Sequence, residues 1–353
     1  MRNNNLRNEN NQGASFQSNR GNDSRNQNIH TSEKSEQLIN VLAGQGISLL
    51  TLSEDPATLI NNHQSIHQNQ SQSSLSQGNW YTEIFSWGSD QAGQLGLGQS
   101  QIGKSYPVPR YCTYNIGIKY VSCGDEHAAF ITSKYKYVDN VNQLAGNMVY
   151  SMGSNTNGQL GVGDMSLKMK NSPMLVEALM DQKPISIACG ANHTLVCTER
   201  GDVYSWGQGI FGALGAGNLD DQFLPKLIHI SHDQLSTKSQ MIQVSAGMRF
   251  SAILDQSGRV YTCGQNDAGQ LGIGGRDQEN IPISIKKFPE RVSMIACGQM
   301  HLLMLTKQGT VYSCGANSFG QLGLNNKRNS SSPLLIQDIS HIPMRYVAAG
   351  SFK

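Results

Sequence analysis

The chain has 353 residues, 37 of them glycine, with 15 % charged side chains and a net charge of +2. So many glycines with so few charges suit a turn-rich β protein, of one large domain or two ordinary ones, and argue against a helical one. A balance this close to zero argues against direct binding to nucleic acid or an acidic membrane, and no apolar run approaches the roughly eighteen residues of a membrane span.

The opening MRNNNLRNEN has no apolar segment behind its basic start, so it does not read as a secretory signal. Seven cysteines, an odd number without CxxC pairs, predict a reduced compartment and therefore an intracellular protein, cytoplasmic or nuclear. Residues 1–79 are crowded with Asn, Gln and Ser. Such a segment buries too little apolar surface to offset chain entropy, so a disordered tail is expected. One island, LINVLAGQGISLLTL at 38–52, stands apart. It reads either as transient structure within the tail, or as a short helix or strand docking on the folded part or on a partner. The folded domain is expected over 80–353.

From residue 84 the sequence repeats itself. IFSWGSDQAGQLGLG is followed by VYSMGSNTNGQLGVG, VYSWGQGIFGALGAG, VYTCGQNDAGQLGIG and VYSCGANSFGQLGL. The anchoring glycines are Gly88, Gly153, Gly207, Gly264 and Gly315, spaced 51 to 65 residues apart. Between them recur YVSCGDEHAAF, SIACGANHTLV, QVSAGMRFSAI, MIACGQMHLLM and a final YVAAGSFK. A proline keeps register at Pro109, Pro173, Pro225, Pro282 and Pro333. Repetition at this period predicts an array or a propeller.

Each copy supplies short β-branched and aromatic runs bounded by turns, such as VYSWG, HTLVC and SIACG. The stretch with the proline reads as an edge strand, where proline is tolerated. That gives about four strands per copy, the content of a propeller blade. These motifs resemble those of the regulator of chromosome condensation repeat family: a strand ending in WG, then GQLGLG, a proline strand, and an A/C-G-x-x-H turn. Met152, Cys263 and Cys314 depart from the tryptophan of Trp87 and Trp206, Ala213 from the glutamine, and Phe250 from His127, His193 and His301. The resemblance implies a seven-bladed propeller.

GLGQSQIGKS at 96–105 also matches a phosphate-binding loop through Gly98, Gly103, Lys104 and Ser105. A phosphate loop opens a helix, whereas Pro107 and Pro109 follow here at once. A surface turn of the repeat is expected, with nucleotide binding through this loop as a remote alternative. Cys123, Cys189 and Cys297 share one repeat position, and Cys263 and Cys314 another. Equivalent positions in different blades are separated, while zinc ligands converge on one ion, so structural thiols are expected and neither metal nor cofactor. His127, His193 and His301 are expected to stabilise turns through a hydrogen bond.

The interval from His127 to Gly153 is 26 residues, against 14 from His193 to Gly207. The loop 133–147 thus carries about twelve extra residues, and long loops on rigid scaffolds carry function. Lys134, Tyr135, Lys136, Tyr137 and Asp139 there suit a protein contact. A smaller excursion lies at 229–239. The first repeat supplies outer strands only, and YVAAGSFK an inner strand only. The expectation is therefore an all-β, partial propeller of about four complete blades plus part-blades, incomplete at its C-terminus and with open edges. The expected function is that of a non-enzymatic scaffold for a protein partner. The resemblance offers an alternative, nucleotide exchange on a Ran-type small GTPase. The near-neutral tail, the incomplete propeller and the many functions built on such repeats weigh against that alternative.

Overall fold

The structure, a computed structural model, describes residues 38–43, 47–53, 82–98, 103–112, 117–132, 147–230, 239–286 and 288–350. They form five antiparallel four-stranded sheets. Blade 1 comprises β1 (Leu38–Ala43), β2 (Ile47–Ser53), β3 (Thr82–Ser89) and β4 (Ser105–Cys112). Blade 2 comprises β5 (Ile118–Cys123), β6 (His127–Thr132), β7 (Val149–Ser154) and β8 (Met169–Leu175). Blade 3 comprises β9 (Pro184–Cys189), β10 (His193–Thr198), β11 (Val203–Gly207) and β12 (Gln222–Leu227). Blade 4 comprises β13 (Met241–Ala246), β14 (Phe250–Asp255), β15 (Val260–Gly264) and β16 (Glu279–Ser284). Blade 5 comprises β17 (Val292–Cys297), β18 (His301–Thr306), β19 (Val311–Gly315) and β20 (Ser330–Leu335). Successive blades touch through their first and second strands.

The all-β partial propeller stands, but the number of complete blades is five rather than four. The island at 38–52 makes the difference. It pairs as a hairpin, Leu38 opposite Ser53 and Ala43 opposite Ser48, and β2 continues onto β3 with Ile47 opposite Gly88. That register is the register of His127 opposite Gly153 in blade 2. Of the two readings of the island, docking on the folded part as strands is the one observed. The remainder of 1–79 and the excursion's residues 231–238 lie outside the described residues.

The recurring YSWG…QLG spacing has a direct cause. In every blade the third-strand hydroxyl donates to the carbonyl of the leucine nine residues on: Ser86 to Leu95, Ser151 to Leu160, Ser205 to Leu214, Thr262 to Leu271 and Ser313 to Leu322, at 2.7–2.9 Å. Those five leucines are fully buried. The anchoring glycine sits at a bulge between third and fourth strands. Its φ is +108° at Gly153 and +100° at Gly207. A Cβ on Gly207 would lie 2.4 Å from Asn192 O, so both backbone conformation and space require glycine there.

The second strands of blades 2, 3 and 4 are buried along their whole length rather than on alternate residues. HAAFIT, HTLVCT and FSAILD are buried at every residue, because each lies mid-sheet with another blade on either side. The register prolines fall in the outer strands, at an edge where the missing N–H costs nothing. The core is a series of layers between blades. Ile187, Val196 and Trp206 pack with Ala129 and Ile131 of blade 2, and Val244 and Ile253 pack with Leu195 of blade 3. Serines staple the inner strands: Ser122 Oγ accepts from Cys189 N, Ser186 Oγ from Val244 N and Ser245 Oγ from Cys297 N. Residues 346–349 lie along the inner strands of the other blades.

Candidate interaction face

In each meander the first-to-second turn and the third-to-fourth loop leave from the same end of the sheet, since His127 faces Gly153 and His193 faces Gly207. Each of these third-to-fourth loops bonds the start of the next blade's fourth strand, with Gly163 N donating to Phe223 O, Gly217 N to Asn280 O and Gly274 N to Ser331 O. These turns and loops make one continuous rim. The rim exposes large apolar side chains: Met165 is 67 % exposed, Ile210 40 %, Leu219 50 % and Phe319 71 %. Aromatic and long apolar side chains on a rigid rim have the composition of protein-contact anchors. Sequence reasoning missed these four. The available signal was a bulky residue inside a turn that holds small or polar residues in three other blades: Phe319, like Phe211, occupies the position of Ala92, Asn157 and Ala268.

The blade 3 loop departs furthest from the pattern. Blades 2, 4 and 5 bind the loop through Asn155, Asn266 and Asn317, whose Oδ1 accepts from the buried leucine's N–H and whose Nδ2 donates to loop carbonyls. Blade 3 has Gly209 there, and Asp221 Oδ1 takes the Gly209 N–H at 2.9 Å. Phe211 then adopts φ +60°, a left-handed conformation that costs a bulky residue on the order of 1–2 kcal/mol. The guanidinium of Arg249, from the first turn of blade 4, lies 5.3 Å from the Phe211 ring centroid. In blade 1 the asparagine is replaced by Asp90, whose Oδ1 accepts from Leu95 N while Oδ2 has no partner among the described residues. Burial pushes its carboxyl above the ordinary range, with the Leu95 bond opposing.

Two of the three histidines bond elsewhere than in the local turn, and neither ring nitrogen of His301 has a partner among the described residues. His127 Nε2 meets Thr194 Oγ1 at 2.9 Å, and His193 Nε2 meets Ser251 Oγ at 3.1 Å, each on the next blade's second strand rather than in the local turn. Thr194 and Ser251 already donate to Gln159 O and Ala213 O, so the imidazole is the donor and carries its proton on Nε2. Phe250 has no such donor, and Leu302 stands where the hydroxyl would be. The ring itself explains the glycine of the turn. A Cβ on Gly190 would meet His193 Cε1, and one on Gly247 would meet Phe250 Cε1, with no room for either. Burial drives His127 down to about 3, with His193 adding to the effect, and drives His193 and His301 to about 4. All three are neutral at physiological pH.

Burial likewise pushes the thiols of Cys189, Cys197, Cys263 and Cys297 up to about 12, and raises those of Cys123 and Cys314. They are free thiols in the protonated form. Among the described residues no group of three or more His, Cys, Asp or Glu could hold a metal ion. The phosphate-loop match has the wrong geometry. Ser105 begins strand β4 rather than a helix, and the Gly103 N–H is spent on Asp90 O at 2.9 Å. Lys134, Tyr135, Lys136, Tyr137 and Asp139 lie outside the described residues. The anchors of that loop, Thr132 and Val149, sit at the end of blade 2 opposite the rim. Among the described residues no helix is long and apolar enough to cross a membrane.

A family model described as the RCC1-like domain matches residues 148–353, and one described as the regulator of chromosome condensation (RCC1) repeat matches residues 83–131. The ultraviolet-B receptor UVR8 of Arabidopsis thaliana is 33 % identical over 256 residues, which is 72 % of this chain and 54 % of the receptor. The X-linked retinitis pigmentosa GTPase regulator of Homo sapiens is 32 % identical over 74 % of this chain and 29 % of that protein. The E3 ubiquitin-protein ligase HERC2 of Homo sapiens is 34 % identical over 76 % of this chain and 5 % of the ligase. The chain thus spans about half, or less, of the length of these curated relatives. Among solved structures, human WBSCR16 superposes with a TM-score of 0.66 at 20 % identity, covering 90 % of this chain and 86 % of that one. Prp20p from Saccharomyces cerevisiae gives 0.64 at 19 % identity, covering 89 % and 80 %. At such identities the likeness is one of fold.

Proposed function

The chain belongs to the regulator of chromosome condensation (RCC1) repeat family, and on that premise we propose that it is a non-enzymatic scaffold that binds a protein partner through the rim. The observation that carries this reading is the exposure of Met165, Ile210, Leu219 and Phe319 on loops held by buried hydrogen bonds. A rigid frame with apolar side chains at its loop tips loses little conformational entropy on binding. The test is quantitative affinity capture from the source cells with wild-type bait and with the double variant Met165→Asp, Phe319→Asp. Both sites are exposed, so the variant should keep its circular dichroism and midpoint. The partners should fall at least tenfold on the variant bait; equal capture by both would remove the rim from the account.

A second reading is favoured by the descriptions of two similar proteins, one a GTPase regulator and the other, Prp20p, reported with its binding to Gsp1p and histones. In that reading the rim prefers the nucleotide-free form of a Ran-type small GTPase and thereby speeds nucleotide release, through differential affinity for two states of the partner.

A further inference from the structure

We propose that the junction of blades 3 and 4 on the rim, formed by Ile210, Phe211 and Arg249, is a docking site for an acidic protein segment: a carboxylate on the Arg249 guanidinium and an adjacent apolar side chain on Ile210 and Phe211. The proposal rests on the scaffold reading and narrows it to one junction and one partner chemistry.

Three observations converge there. First, the junction differs from its equivalents in residue type on both sides at once. The Arg249 position holds Glu126, Asn192 and Met300 in the other blades, and the Ile210 position holds Gln91, Thr156, Asp267 and Ser318. Second, the loop is bent to present these groups. Phe211 is held at φ +60°, whereas the described residues at its equivalents, Ala92, Asn157, Ala268 and Phe319, have no positive φ. Gly209 and Asp221 replace the asparagine that ties down the loop in blades 2, 4 and 5. Third, the Arg249 charge has no ion-pair partner among the described residues. The Arg249 guanidinium carbon lies over the Phe211 ring at 5.3 Å from its centroid. The loop's own two carboxylates are engaged locally, Asp221 by Gly209 N and Asn157 Nδ2 and Asp220 by Asn218 Nδ2.

A guanidinium held over a ring face makes a cation–π contact that uses none of its N–H groups as hydrogen-bond donors to oxygen, which suits bidentate capture of a carboxylate. The ring also holds the long side chain in place before binding, so less entropy is lost on contact. Ile210 is solvent-exposed beside it and supplies the apolar floor. An arginine with an aromatic ring and an aliphatic side chain is the composition of a binding hot spot.

The experiment is selection of a displayed library of random twelve-residue peptides on the intact chain. Enriched peptides should carry Asp or Glu next to Phe, Leu, Ile or Trp. They should bind Arg249→Gln at least tenfold more weakly, and Phe211→Gly several-fold more weakly. Phe211→Gly fits the positive φ, so its loss of binding cannot be put down to unfolding, and a thermal midpoint at or above wild type checks this. Enriched peptides without acidic residues, or acidic peptides that bind Arg249→Gln as well as wild type, would overturn the proposal. Peptides retained by Arg249→Gln but lost on the Met165→Asp, Phe319→Asp variant would overturn it while leaving the scaffold reading in place. No enrichment at all would count against both.

Discussion

Trp206→Ala is expected to cost about 3–5 kcal/mol of unfolding free energy, the range for deleting a fully buried aromatic side chain. Trp206 has no exposed surface and packs between blades 2 and 3 with Ile187, Val196 and Leu179. Its Nε1–H donates to Gln159 O at 2.9 Å, and that carbonyl also accepts from Thr194 Oγ1 at 3.0 Å. The ring lies against Gly161, where a Cβ would come within 2.6 Å of Nε1. Truncation therefore leaves a cavity and removes one partner from a buried carbonyl, and both effects have the same sign. Cys263 and Cys314 fill the equivalent sites of blades 4 and 5, with sulfurs 3.8 Å and 3.7 Å from Ala213 O and Gln270 O. The loss is read from urea unfolding followed by far-ultraviolet circular dichroism. A loss below about 1 kcal/mol would mean that the layer between blades 2 and 3 is not packed as described.

The second large effect concerns the first blade. Leu50 lies in the middle of β2, opposite Val41 on one side and Phe85 on the other. Proline there removes a ladder donor from a strand paired on both sides and cannot adopt the geometry without a bulge. A cost of at least about 2–3 kcal/mol to blade 1 is expected, from the lost bond and the orphaned carbonyl facing it. Because the blades stack as neighbours, the damage should stay local. Hydrogen exchange read by mass spectrometry should show 47–53 and 82–89 losing protection in Leu50→Pro, with 193–198 and 250–255 unchanged. Fast exchange of 47–53 already in the wild type would return the island to the tail.

Much of the fold was legible because the chain states it five times. Glycine, leucine and proline recur at fixed offsets, and each offset corresponds to a bond or a bulge that every blade needs. The first blade was harder to see. Its inner hairpin, β1 and β2, keeps only the A-G-x-x start of the turn motif, Ala43 to Gly46, and lacks the ring residue of the other copies. Ile47 stands in the histidine register and Ala128 stands where Thr194 carries its hydroxyl. An apolar residue at both positions is consistent with the Phe250 and Leu302 exchange, but it erases the ring that a sequence reader follows. The long stretch between 53 and 82 also separates the hairpin from the strand that it pairs with. The rim was less legible still. Motif reading looks for sameness, whereas Ile210, Phe211, Arg249 and Phe319 matter because they differ from their counterparts. The cation–π contact of Arg249 with Phe211 joins residues from two blades and has no sequence signature.

The measurement that bears most directly on the scaffold reading is release of labelled GDP from a Ran-type small GTPase in the presence of the chain at one-hundredth of the GTPase concentration. The account predicts a release rate equal to the intrinsic rate, since a scaffold holds its partner stoichiometrically without favouring the nucleotide-free state. A rate that rises in proportion to the small amount of chain added would contradict the scaffold and establish exchange as its activity.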